Sequence, residues 1–382
     1  MLIEIENDPR PYPWGSTSAI SSFLGRPASG GPEAELWLGS HPGSPSRVID
    51  PTQADGHGEL AGWIELPFLL KVLAASSPLS LQAHPSASQA RAGFDRENAL
   101  GIPLDARHRN YKDSSAKPEM IVAVNDGFEA LCGFRDPRDA YKVFARIAHQ
   151  GEGPAFQRVL ALLEGPDPVR TTFEWLVGEQ RGEAAVLDNL CSAAAAAEGT
   201  SDDIAEFALV RRLAAIYPGD PGVAISVLLN HVTLAAGQAL WLPAGNIHAY
   251  LGGLGIELMA PSDNVLRGGL TTKHIDVPEL LAILDFASIA VPYLQPQHPA
   301  PGVSVYAPAG SDLALAWISS AVTLRPGSDA IVLAVTDGVV ISGNTSTIAL
   351  NRGHAVLVTG DEGDLTVSGG GQCVVAATAL AI

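Results

Sequence analysis

Residues 1–134 carry their apolar positions in short runs divided by Pro, Gly and Ser. The runs Leu66–Ala74, Leu79–Ala83 and Met120–Val124 predict strands of about five residues. From about 136 to 220 the spacing changes to three and four. Ala140, Val143, Phe144 and Ile147 predict a helix over Asp139–His149, and Phe207, Val210, Leu213 and Ala214 another over Asp203–Ile216. Between them the Ala-rich Glu183–Ala197 ends at Gly199, a helix stop, and Ser201 offers an N-cap for the next helix. Strand spacing returns at Ala224–Leu229, Ala239–Leu242 and Ile256–Met259, and Pro278–Leu284 predicts a helix. Over 303–382 the runs Ala330–Val335, Gly338–Ser342, Ala355–Val358 and Cys373–Ala377 alternate with turns, as in a small all-β domain. A helical block with strands on both sides predicts an α insertion into a β scaffold.

Composition narrows the class. A chain of 382 residues with 39 glycines and 28 prolines is turn-rich, which argues against an all-helical bundle, and its length implies two or three domains. With 41 acidic residues against 23 basic ones the net charge is −18, which disfavours nucleic acid and anionic membranes as partners. No apolar run approaches the roughly 18 residues of a membrane span. The acidic start Met1–Asp8 is unlike a signal peptide. Cys132, Cys191 and Cys373 are scattered and odd in number, so the expected compartment is the cytoplasm, without a disulfide framework or a thiolate zinc site.

Four segments hold candidate chemistry. On a strand Ser80, Gln82 and His84 share one face, and a polar face inside an apolar run suits either a site or a solvated edge. Lys117 and Glu119 also share a face at the entrance of an apolar strand, where the carboxylate needs a cation, be it Lys117 or a metal. The segment Gly237–His248 spaces its residues as G-x5-P-x-G-x2-H and resembles the second conserved motif of cupins. In that motif a Pro/Gly turn aims the His into a barrel mouth. Gly252 stands where cupins continue with Asn. Gln82, His84, Glu119 and His248 together offer N and O donors suited to zinc, although spacing alone would not nominate Gln82. Finally, Glu257 runs into the turn Ser262–Asp263–Asn264 and a loop bearing Arg267 and Lys273. Gathered at one mouth, Lys71, Lys117, Arg267 and Lys273 would form a positive island able to hold a phosphate.

Further segments extend the pattern: Tyr12–Ser16, Glu35–Pro42, Pro67–Leu73, Leu79–Pro85, Asn110–Asp113, Lys117–Met120, Phe128–Phe134 and Leu242–Ile275. In this order they resemble the type I phosphomannose isomerases of the cupin superfamily. Leu81, where Ile is common, is a harmless departure. The resemblance implies a mainly β fold with an α-helical insertion. Its parts would be a cupin-like jelly-roll catalytic domain (1–135 and 221–290), a helical domain (136–220) and a C-terminal cupin-like β domain (291–382). It implies one Zn2+ per chain on Gln82, His84, Glu119 and His248. It also implies catalytic roles for Lys71, Lys117, Glu257, Asp263 and Arg267, with Ser80 and Lys273 near the phosphate. His354, in a cupin-like strand without companion ligands, is expected to be structural.

The implied activity interconverts D-mannose 6-phosphate and D-fructose 6-phosphate in a monomeric cytoplasmic enzyme. Glu257 is the first choice of base, with His84 or a metal-bound water as alternatives, and Asp263 with Arg267 would orient or open the ring. Two other classes use the same donors: an iron-dependent cupin oxygenase and a sugar-phosphate sensor without catalysis.

Overall fold

The computed structural model describes residues 1–148, 154–178 and 182–382. Among these residues the strands form three antiparallel sheets of nine, seven and five strands. The nine-stranded sheet is organised by one long strand, His248–Met259. Its first half pairs with Leu81–Ala83 and Phe128–Phe134, and its second half with Leu69–Ala75 and Glu119–Ala123. A strand that leaves one half-sheet for the other is what wraps a jelly roll into a barrel. The passage lies between Tyr250 and Gly252, where the register with Phe128–Phe134 shifts. Gly253 follows at φ +111°, a conformation that a side chain would oppose. Glu35–Leu38, Ala239–Leu242, Leu229–Leu234 and Leu266–Gly269 complete this sheet.

The helices Pro137–Ala148, Pro154–Leu163, Pro168–Val177, Gly182–Ala197 and Ala205–Ile216 cover one end of the barrel. Phe144, Phe156, Phe173, Leu190, Val210 and Leu213 share a core with Leu81, Leu131, Phe134 and Leu266 of the strands and with Ile247 just before one. Because that core is continuous, helix packing and barrel closure depend on the same buried apolar surface.

The five- and seven-stranded sheets enclose a second core. Ala316, Val332, Val356 and Val375 of one meet Leu324, Ile341 and Val367 of the other. The alternate residues Ile331, Leu333, Leu357 and Val374 face the opposite way and pack on Leu36, Leu70, Val72, Met120 and Ile256 of the barrel. The seven-stranded sheet is therefore buried on both faces, which explains why Ala330–Ala334 and Cys373–Ala377 are apolar at every position. The strand Leu2–Glu6 at the chain start joins this sheet, Leu2 opposite Val358 and Ile5 opposite Ala355.

The mainly β architecture with its helical insertion is as expected, two local expectations are corrected, and one helix lies outside the expectations. Ala224–Leu229 is not a strand. A short helix, Gly222–Ile225, and a 3-10 turn, Ser226–Leu228, precede the strand Leu229–Leu234. A wholly apolar run fits a buried helical turn as well as a strand, and here it is buried against the helices. Ser201 does not cap the next helix, which begins after Ile204 without a side-chain cap, while Asp203 binds Arg211 through two 3.0 Å hydrogen bonds. The helix Ala87–Ala99 was not anticipated, being largely polar, although Ser86 and Gln89 form a full capping box at its start. The helix expected over Asp139–His149 runs from Pro137 to Ala148, and His149 lies outside the described residues.

Candidate metal centre and active site

Three separate stretches of chain bring the four donor residues together: residues 81–84, the strand Glu119–Ala123, and the turn and strand that carry His248. The turn Pro243–Gly245 sits against the end of the short strand Leu81–Ala83, with the Gly245 N–H donating to the His84 carbonyl at 2.8 Å. Gly245 has φ +79°, and a Cβ there would lie 3.1 Å from the Ile283 carbonyl oxygen. The glycine of the motif is thus required both by conformation and by space. Beyond the turn, His248 pairs across the sheet with Gln82.

Each histidine has its tautomer fixed by the backbone. The Nδ1–H of His84 donates to the Asn264 carbonyl at 2.8 Å, and that of His248 to the Asn246 carbonyl at 3.0 Å. Both Nε2 atoms are left with lone pairs, and both face the Glu119 carboxylate. His84 Nε2 is 3.3 Å from Oε2, and His248 Nε2 is 2.9 Å from Oε1. His84, Glu119 and His248 are almost wholly buried, and their donor atoms lie within 4.8 Å of one another. Among the described residues His84 Nε2 and Glu119 Oε2 have no hydrogen-bond partner. Buried acceptors that face one another without a proton between them are costly, and a divalent cation is what this set fits. Gln82 completes it from the side, its carboxamide nitrogen 3.3 Å from His248 Nε2. Rotation of the amide presents its oxygen without moving the backbone.

Charges around the set keep it in the ligand form. Burial pushes the His84 pKa down to about 4, with Lys117 adding to the effect. Burial opposes the Glu119 carboxylate, but Lys117, His84 and His248 outweigh it and hold its pKa well below the usual range. Lys117 Nζ is 3.4 Å from Glu119 Oε2, so both partners considered for this carboxylate lie beside it.

A second row crosses the sheet next to the donors. Trp37, Lys71 and Glu257 are register partners on three adjacent strands. Lys71 Nζ is 3.0 Å from Glu257 Oε2, 3.7 Å from Glu35 Oε1 and 4.9 Å from the Trp37 ring centroid. The Trp37 indole N–H donates to Glu35 Oε2 at 2.7 Å. Burial favours neutral Lys71, yet Glu257 and Glu35 outweigh it and raise its pKa. Burial raises Glu257 too, opposed by Lys71 and reinforced by Glu119 and Glu35. Tyr250 lies between the two rows, its hydroxyl donating to Glu119 Oε1 at 3.2 Å. Tyr250 and Glu257, seven residues apart, would face opposite ways on a regular strand; the register shift after Tyr250 turns both into one cleft.

That cleft, of about 570 Å3, is lined by Lys71, Ser80, Gln82, Lys117, Glu257, Asp263, Arg267 and Lys273. The four expected cations therefore share one mouth. Arg267 forms no ion pair among the described residues, and its Nε is buried without a partner. Burial lowers its pKa. Lys273 stands at the exposed rim, lowered by partial burial and then by Arg267. Asp263 is held by its backbone N–H, which donates to Asp113 Oδ2 at 3.0 Å, and its own Oδ2 lies 3.5 Å from His41 Nε2. His354 lies apart from the cleft, with Nδ1 3.4 Å from Glu4 Oε1.

Glu35, His41, Asn264 and Tyr250 were not singled out from the sequence for these positions. Tyr250 was within reach, two residues beyond His248 on the same strand and so on the same face. Asn264 was not, because its contribution to His84 is a backbone carbonyl.

A jelly-roll barrel that holds a buried His/Glu/His set, with four cations lining the cleft that Gln82 also borders, defines a metal-site protein of the cupin type. Residues 2–137 match the family model for the phosphomannose isomerase type I catalytic domain. The mannose-6-phosphate isomerase of Escherichia coli K12 is 39% identical over 301 residues, covering 73% of this chain and 74% of that one. A zinc-bound mannose 6-phosphate isomerase structure superposes with a TM-score of 0.86 at 31% identity, covering 98% of this chain and 99% of the other. The apo form from Salmonella typhimurium superposes with a TM-score of 0.85 at 32% identity, covering 98% of each chain. The chain belongs to the type I phosphomannose isomerases.

Proposed function

We propose that the cleft binds D-mannose 6-phosphate and interconverts it with D-fructose 6-phosphate, with zinc held by Gln82, His84, Glu119 and His248. The observation that carries this reading is the set of buried, unprotonated donors facing one another beside a cleft whose guanidinium has no carboxylate partner among the described residues. Bound there, zinc supplies Lewis-acid stabilisation of the oxygen that becomes anionic, worth several kcal/mol.

The chain's own groups do the rest. Asp263, steadied by His41 and Asp113, and Arg267 open the pyranose ring by moving the O1 hydroxyl proton to the ring oxygen. Glu257 then takes the C2 proton of the open aldose and returns it to C1, while the hydroxyl proton passes from O2 to O1. No electrons leave the substrate, so no redox partner is needed. Burial makes Glu257 more basic than an exposed carboxylate, and Lys71 keeps it ionised and aimed. Lys117 and Arg267 add fixed positive charge around the enediolate. Ser80 and Lys273 take the phosphate at the rim.

The reading includes a cytoplasmic monomer whose partner is a small sugar phosphate, with the chain divided into 1–135 plus 221–290, 136–220 and 291–382. No described helix is long and apolar enough to cross a membrane. A coupled assay of mannose 6-phosphate turnover with oxygen monitored separates the alternatives. Interconversion without oxygen uptake supports the isomerase. Uptake would indicate the oxygenase, and tight binding without turnover the sensor.

A further inference from the structure

The segment that leaves the helical block touches both sides of the cleft's rim. Tyr217 ends the helix Ala205–Ile216, lines the cleft, and donates its hydroxyl to the Pro78 carbonyl at 2.8 Å, two residues before Ser80. Three residues on, Asp220 turns its carboxylate to the loop that carries Lys273. Asp220 Oδ1 accepts the N–H of Leu270 at 2.8 Å and of Gly222 at 2.7 Å, and Oδ2 accepts the N–H of Thr271 at 3.1 Å.

The loop needs such a clamp. Gly269 and Leu270 both have positive φ, +140° and +53°, and Leu270 is a branched residue in a left-handed conformation that its Cβ disfavours. The two segments meet backbone to backbone. A Cβ on Gly269 would lie 2.7 Å from Gly222 Cα, and one on Gly222 would lie 2.7 Å from Leu270 N. Beyond the clamp, the Lys273 N–H donates to Thr271 Oγ1 at 3.0 Å, so the register fixed at Leu270 and Thr271 is passed to Lys273. Leu270, Thr271, Thr272 and Lys273 all line the cleft.

We infer that Asp220 is a positioning residue for the phosphate end of the site, acting through the Leu270–Lys273 loop and tying substrate affinity to the exit of the helical block. The inference rests on the proposed place of the phosphate at Lys273. It makes an acid with no direct part in the chemistry a determinant of affinity for an anion.

Asp220→Ala, Asp220→Asn, Lys273→Ala and the double variant Asp220→Ala/Lys273→Ala, each loaded with zinc, test it. The readouts are KM for mannose 6-phosphate, the inhibition constant of inorganic phosphate, and kcat. Loss of the clamp should raise KM and the phosphate constant together by about tenfold, with a smaller fall in kcat. Asp220→Asn, which keeps one acceptor oxygen, should fall between, and it carries the test if the alanine variant does not fold. The double variant should bind phosphate no more weakly than Lys273→Ala alone. A folded Asp220 variant with unchanged KM and phosphate constant, beside a Lys273→Ala that raises both, overturns this inference only. Multiplying effects in the double variant overturn it as well. A Lys273→Ala with neither constant changed overturns the phosphate placement and this inference together.

Discussion

Lys71 and Glu257 sit directly opposite one another on neighbouring strands, Nζ 3.0 Å from Oε2, both buried. The pair is suited to a base: burial raises the carboxyl pKa, and the ammonium keeps the group ionised. Glu257→Gln should lower kcat by about 10²–10⁴ with little change in KM. Lys71→Met removes the charge that opposes burial, so the Glu257 pKa should rise. Activity requires the carboxylate, so the acid limb of the kcat–pH profile should move to higher pH. Wild-type turnover in Glu257→Gln would remove Glu257 as the base, and an unmoved limb in Lys71→Met would separate the two residues.

Arg267 faces the opposite situation, a charge lining the cleft without an ion-pair partner among the described residues. Removing an unpaired, desolvated charge relieves the folded state, whereas the substrate loses its counter-charge. Arg267→Met should raise the Tm of the substrate-free enzyme while lowering kcat/KM by about 10² or more. A lower Tm would mean that the guanidinium is satisfied in some other way.

The helical block is tied to the barrel by Glu129, which accepts from Arg212 at 2.6 Å and meets His231 Nε2 at 2.5 Å. Burial raises its pKa, but His231 and Arg212 outweigh that and bring it to about 2, against 4.5 for a free side chain. A depressed folded pKa gives stability that is whole above pH 4.5 and is lost as pH falls toward 2. Glu129→Gln should cost about 1–3 kcal/mol at pH 7 in denaturant titrations, after allowance for the partly exposed Arg212. It should also flatten the loss of stability between pH 4.5 and 2. An unchanged acid slope would show that the trio contributes no net stability.

The expectations succeeded where local pattern and tertiary packing agree. Ala239–Leu242, Ala355–Val358 and Cys373–Ala377 form strands with the anticipated ends, because short apolar runs between turns suit a sheet buried on both faces. They failed at Ala224–Leu229, where the same texture serves a helical turn among helices, and at Ala87–Ala99, whose polar face hid its period. At the site, residue identity marked His84, Glu119 and His248 while Gln82 entered through the family resemblance, and the structure brings these side chains together. The groups that hold them were hidden for another reason. Asn246 and Asn264 act through carbonyls, which any residue has, and Asp220 sits in an ordinary-looking Pro-Gly-Asp-Pro-Gly turn. His41 and Glu35 lay inside a segment of the family pattern, but nothing in a linear chain says that they end beside Asp263 and Lys71.

Everything in the mechanism depends on a metal seated among Gln82, His84, Glu119 and His248. Elemental analysis and the coupled mannose 6-phosphate assay, run on one preparation before chelation, after chelation and after zinc is restored, address this together. About one zinc per chain, loss of turnover with the metal, and recovery on zinc addition are expected, with none of the three seen in folded Glu119→Gln. Full turnover from metal-free protein would contradict the assignment of these four residues.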